Sequence, residues 1–326
     1  MRILAGLMWI PFSLLLLPVA FSQVQSESCK LAFKSVNHEF EIVNSVFICN
    51  NSAAIPYRYA AEINSPVCDD TLCANVILKI YWDLAGNYTG FDTIPGNPLT
   101  KFDHKKFTTD DYIKLDRILK NRNSVLRRLK KEELVDKSVK IKAETVDAVT
   151  GATPKTISEA VVEGAVYSSF TLWHFVNLAV KDSMVNFTKN IYSEQVARQL
   201  LLSENYETQL FALRKWTPND YELNSELLFH VISNSVPLVK AFAISKTPLP
   251  FANTVNNVKF AALFANLDNY SKSIFLGRIT SDEESAKSIL PLLLAQYKGF
   301  DEKQLGQIKT ACVKYKIQVA GEMLGN

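Results

Sequence analysis

Four apolar blocks with helical spacing recur in the second half of the chain. They end at small polar residues, Ser203, Ser233, Asn266 and Gln296, at intervals of 30, 33 and 30 residues. A lone helix pair leaves an apolar face uncovered, and a stacked neighbour covers it. The spacing therefore predicts an all-α region over residues 183–326, either a solenoid of stacked helix pairs or a helical bundle.

The first half has a different texture. Residues 33–47 and 76–82 are rich in β-branched and aromatic side chains. Turn clusters separate them, at residues 50–52, 85–87 and 93–98, as expected of strands joined by short loops. Thr108 or Thr109 then caps a helix with Asp110 and Asp111 in its first turn and Tyr112, Leu115, Ile118 and Leu119 at helical spacing. A strand is expected over 139–148 and a long helix from Thr153 through Trp173. The fold class that follows is α+β for residues 23–182, followed by the helical region.

Residues 1–22 read as a cleavable secretory leader. Arg2 gives the positive end, an apolar run follows, and Ala20-Phe21-Ser22 supplies small residues before a cut at Gln23. Export to the periplasm or the extracellular space is the expected localisation. Five cysteines suit an oxidising space. Cys29, Cys49, Cys68 and Cys73 allow three disulfide pairings, and Cys312 is left over. Lys plus Arg number 36 and Asp plus Glu 33, a net +3 spread evenly. That balance gives no footprint for nucleic acid. The basic run from Lys120 to Lys131 precedes Glu132, Glu133 and Asp136, and so reads as a solvated helix face. His104 beside Asp103 reads as part of a turn, and His174 between Trp173 and Phe175 as a packed residue. Three glycosylation sequons begin at Asn87, Asn186 and Asn269.

The chemically informative stretch lies at residues 144–157. A strand is expected to end near Asp147, and Gly151 permits a tight turn. Thr153 then caps a helix with Pro154 at its first position. Free backbone N–H groups and the helix dipole at such a turn favour a phosphate beside Thr153.

The string Asp147-x-x-Thr150-Gly151-Ala152-Thr153 resembles the D-x-x-[S/T]-G-A-T signature of the FMN-binding domain family. That family includes the covalent-flavin domains found in the sodium-pumping NADH:quinone reductase and in the related Rnf complex. The resemblance implies FMN joined through a phosphodiester bond to Thr153. Asp147, Thr150, Gly151 and Ala152 would complete the recognition motif, and Lys155 would help hold the phosphate. It also implies an exported FAD:protein FMN transferase as the maturation partner. The family continues with a small or apolar residue and then Thr-Ser, where this chain has Pro154-Lys155-Thr156. Residues 160–177 and 82–88 resemble an exported branch of such proteins that also carries C-terminal HEAT-like repeats.

On this reading the chain is an exported flavoprotein that relays electrons rather than a complete enzyme. Its redox partner is an unknown protein, with a membrane redox complex as a candidate. Trp82, Tyr88, Phe170 and Trp173 are the candidates to stack on a flavin ring, against core packing as the default. The alternative is a non-catalytic envelope scaffold or protein-binding module with a vestigial FMN-binding fold.

Overall fold

The computed structural model describes residues 27–37, 42–67, 74–135 and 157–318. Five consecutive strands form an antiparallel meander in the order β1 (Ser28–Asn37), β2 (Ile42–Asn50), β3 (Pro56–Ser65), β4 (Val76–Trp82) and β5 (Tyr88–Thr93). Period-two alternation selects the buried face. On β4, Val76, Leu78, Ile80 and Trp82 point into the core, while Ile77 and Lys79 point partly outward. Tyr59, Ala61 and Ile63 continue that face on β3, and Val46 and Ile48 on β2.

Three helices cover this face. Helix α1 (Thr109–Lys120) starts at Thr108, whose hydroxyl accepts from the Asp111 N–H while the Asp111 carboxylate accepts from the Thr108 N–H. Thr108 is thus the cap of the two positions expected from sequence, and Asp111 makes the cap reciprocal. Helix α2 (Val166–His174) runs into a π-helical turn at Phe175–Ala179 and then α3 (Lys181–Asn190).

The long helix expected from Thr153 through Trp173 is shorter among the described residues, where α2 begins only at Val166. Val161 is extended and Gly164 has φ of 72°, a left-handed conformation that breaks a helix. Ser169 stabilises the break: its hydroxyl accepts from the Val162 N–H and donates to the Ala165 carbonyl, both at 2.9 Å.

The remaining helices are α4 (Glu194–Leu201), α5 (Tyr206–Leu213), α6 (Pro218–Leu223), α7 (Ser225–Asn234), α8 (Pro237–Lys246), α9 (Thr254–Leu263), α10 (Asn269–Ile279), α11 (Glu283–Gln296) and α12 (Glu302–Tyr315). The four apolar blocks fall on α4, α7, α9 and α11. These helices stack on one another, and α5, α8, α10 and α12 form a second layer beside them. Ser193, Asn205, Thr217, Asn253, Asp268, Asp282 and Asp301 each cap the helix that follows with a side-chain oxygen. One buried cluster runs from the sheet through the helices. Helix α3 crosses residue 182 and packs on the sheet, with Thr188 hydrogen-bonded to Tyr59 at 2.7 Å and to the Leu84 carbonyl at 2.6 Å.

Cys29 and Cys49 sit opposite each other on β1 and β2 and form a disulfide. Cys68 and Cys73 lie outside the described residues. Cys312 is a free, buried thiol. Among the described residues, no helix is long and apolar enough to cross a membrane.

Candidate functional site

Asp147, Thr150, Gly151, Ala152, Thr153 and Lys155 lie outside the described residues, as do the leader and the strand expected over 139–148. The described chain is anchored on both sides of that segment. Val135 and Ile157 are both buried, 5% and 4% exposed, in the core shared by the sheet and α1. Lys114 on α1 donates to the Ser158 carbonyl at 3.2 Å.

Three of the four aromatic candidates for a flavin ring are part of the core. Trp82 is fully buried, donates from Nε1 to the Val176 carbonyl at 3.0 Å and meets Phe175 edge-on. Trp173 is equally buried and donates to the Asn121 carbonyl at 2.8 Å. Tyr88 donates to Asp116 at 3.0 Å, and burial with that carboxylate pushes its phenol well above its usual value. Each ring has its polar tip satisfied within the protein. Phe170 borders a cavity. His104 is exposed in the turn that precedes α1, with φ of 57°.

The segment from Trp82 to Tyr88 joins the sheet to the helical layers. It makes a tight turn in which Asp83 Oδ1 accepts from the N–H groups of Ala85 at 2.9 Å and Asn87 at 2.8 Å. Gly86 takes φ of 73°, and a Cβ there would meet Lys181 at 3.3 Å. Asp83 Oδ2 accepts from Asn87 Nδ2 at 3.2 Å and from the Thr208 hydroxyl on α5. Asn87 Nδ2 also donates to Thr208 at 2.9 Å, and Asn87 Oδ1 accepts from Arg122 at 2.8 Å and Lys181 at 3.3 Å. Arg122 also forms an ion pair with Glu207.

Burial pushes the Asp83 carboxyl above its usual 3.8, opposed by the hydrogen bonds from Thr208 and Asn87. The Asp83 carboxylate is hydrogen-bonded by Ala85, Asn87 and Thr208, so this cluster couples two layers. Asn87 is 3% exposed, so its sequon is buried in the folded chain. Sequence reasoning singled out residues 82–88 without this role. The Asp with Gly-Asn after it is the local signal, an Asx-type turn.

A cavity of about 260 Å³ lies where the inner face of β1, β2 and β3 meets α2 and the π-helical turn. On the sheet side Asn44 is only 6% exposed, and its side-chain amide has no hydrogen-bond partner among the described residues. On the helix side, Phe170 and His174 lie ring to ring at 4.1 Å, tilted by 37°. His174 Nε2 is 2.8 Å from the Leu126 carbonyl, which accepts only, so Nε2 carries the proton and Nδ1 is left as an acceptor. Burial holds this ring below the usual 6.5, against the pull of that bond. The packed role expected for His174 is therefore joined by a position on the cavity wall.

Among the described residues, one group has metal-like spacing: Glu27, Cys29 and Cys49. Both sulfurs are bonded to each other and Glu27 is held by Arg58 and Tyr57, so no thiolate is offered. Compared with protein-family models, curated proteins and solved structures, the chain has no match.

Proposed function

We propose that this chain is an exported electron-relay protein that carries FMN on Thr153 through a phosphodiester bond. The observation that carries the reading is the seven-residue string ending Thr150-Gly151-Ala152-Thr153. Its physical logic is that of a phosphate site at a capped helix start, with Lys155 adjacent. Val135 and Ile157, on either side of the segment that holds the string, are both buried in the core shared by the sheet and α1. Bound FMN would supply the electron-transfer chemistry. Trp82, Tyr88 and Trp173 do not fit as its stacking platform, since they are locked in the core. The reading rests on the Thr153 segment alone.

The test is maturation in vitro. With an FAD:protein FMN transferase, FAD and magnesium, Thr153 Oγ displaces AMP from the flavin phosphorus, and the hydroxyl proton passes to solvent. Intact mass is expected to rise by FMN less one water, with AMP released and Thr153→Val inert. A chain that gains no such mass overturns the proposal.

The packing of those three aromatic residues favours a second reading, a scaffold whose helical layers bind another protein. A colourless protein from the native host, with Thr153→Val behaving as the parent, is the outcome that selects it.

A further inference from the structure

We propose that the cavity between the sheet and the π-helical turn binds a small, neutral heteroaromatic ring whose edge carries a hydrogen-bond donor beside an acceptor. Four observations lead there.

The first is Asn44. A side-chain amide offers two donors and an acceptor, and burying it unpaired costs free energy. Here Asn44 is 6% exposed as a residue, lines the cavity, and makes no side-chain hydrogen bond among the described residues, while its amide atoms stay solvent-accessible through the cavity. Along the same strand Val46 and Ile48 turn apolar side chains into the core, whereas Asn44 presents an amide to the cavity. A ligand edge with a donor beside an acceptor satisfies the amide in two directions at once, the geometry by which Asn reads a base edge.

The second is His174. With Nε2 donating to Leu126, Nδ1 is left as the ring's acceptor, on a residue that lines the wall opposite the sheet. The third is shape and charge. The tilted, paired rings of Phe170 and His174 give an aromatic wall, and the cavity lining, among the described residues, holds no Lys, Arg, Asp or Glu. A charged ligand would lose its hydration with no counter-charge in return. The volume of 260 Å³ lies just below the range usual for drug-sized ligands, which suits a single ring.

The fourth is the π-helical turn itself. Phe175–Ala179 widens the helix on the cavity floor, and such turns are rare and concentrate at functional sites. Neither Asn44 nor the cavity belongs to the Thr153 string, so this site stands apart from the flavin reading.

The test uses the purified exported chain carrying Thr153→Val, which keeps any attached flavin out of the cavity. Uracil and nicotinamide serve as probes, followed by ligand- and protein-observed NMR and by calorimetry. Orotate, uracil with an added carboxylate, is the charged comparator. Saturable one-to-one binding of at least one probe is expected, with Kd on the order of 0.1–1 mM for so few atoms. Orotate is expected to bind at least tenfold more weakly than uracil.

Asn44→Leu is expected to weaken probe binding tenfold or more while keeping the fold, because it removes an unpaired amide. Thr171→Phe fills the space from the helix side and is expected to do the same with Asn44 intact. Circular dichroism of each variant checks the fold. No saturable binding of either probe, binding unchanged in both variants, or orotate matching uracil overturns the proposal.

Discussion

Thr208→Val tests whether the Asp83 cluster holds the sheet to the helical layers. The substitution keeps the side-chain volume at a site that is 1% exposed, so no cavity opens. It removes the hydroxyl that donates to Asp83 and accepts from Asn87 Nδ2. Asn87 Nδ2 keeps its bond to Asp83 at 3.2 Å, so it is not orphaned. Asp83 keeps the Ala85, Asn87 backbone and Asn87 side-chain donors, but Oδ2 loses its closest one. A hydrogen bond to a charged group contributes roughly 1.5–3 kcal/mol, and the expected loss is therefore about 2 kcal/mol.

Urea unfolding followed by tryptophan fluorescence and far-UV circular dichroism gives the measurement. With Trp216, which packs on Tyr221 in the helical layers, replaced by Phe in parent and variant alike, Trp82 and Trp173 report the sheet side, while the dichroism is dominated by the helices. Coincident transitions are expected in the parent and separated ones in the variant, because the lost contact bridges the two. Thr310→Val is the control: its hydroxyl is exposed and bonds only to the Gly306 carbonyl in its own helix. It is expected to change stability by less than about 0.5 kcal/mol. A loss below about 1 kcal/mol at Thr208, or equal losses at both sites, would falsify the coupling argument.

Two further outcomes follow from the same structure. Replacing Cys29 and Cys49 together with Ala opens a loop of 20 residues in sequence separation, so unfolding free energy should fall by about 3 kcal/mol; reductant should then have a smaller effect on the variant than on the parent. Below the usual imidazole value of 6.5, unfolded His174 takes up a proton that the folded, buried ring refuses. The unfolded chain then binds more protons, so stability rises with pH across that window and falls as pH drops from about 7 to 5. His174→Gln, which keeps a donor for Leu126, should flatten that dependence, and an unchanged slope would reject the assignment to His174.

Much of the architecture was legible because it is written in short-range patterns. Alternation marks β4, the Thr108–Asp111 pair marks the start of α1, and Asn, Asp, Ser and Thr before apolar blocks mark the helices after residue 190. The 30-residue recurrence anticipated the layer of α4, α7, α9 and α11, since each block is one helix with one face to bury. The helix expected through residues 157–165 failed at Gly164. A single glycine within an apolar run reads as tolerable until a backbone approaches it. Here Phe102 donates to the Gly164 carbonyl at 2.7 Å and Lys101 packs over the missing Cβ.

The candidate site divides in the same way. The Thr153 string is a local signal and stands in the sequence by itself. The pairing of Asp83 with Thr208 spans 125 residues, and no periodicity reports a contact at that separation. Asn44 likewise reads as an ordinary strand residue, and only the fold sets it against Phe170 and His174 with its amide unpaired. Sequence determined which segments are strands, which are helices and where they stop, because those choices depend on neighbours a few residues away. Tertiary structure decided which aromatic rings became core, which polar groups joined sheet to helices and where space was left between them. Those outcomes depend on which distant surfaces exclude water together.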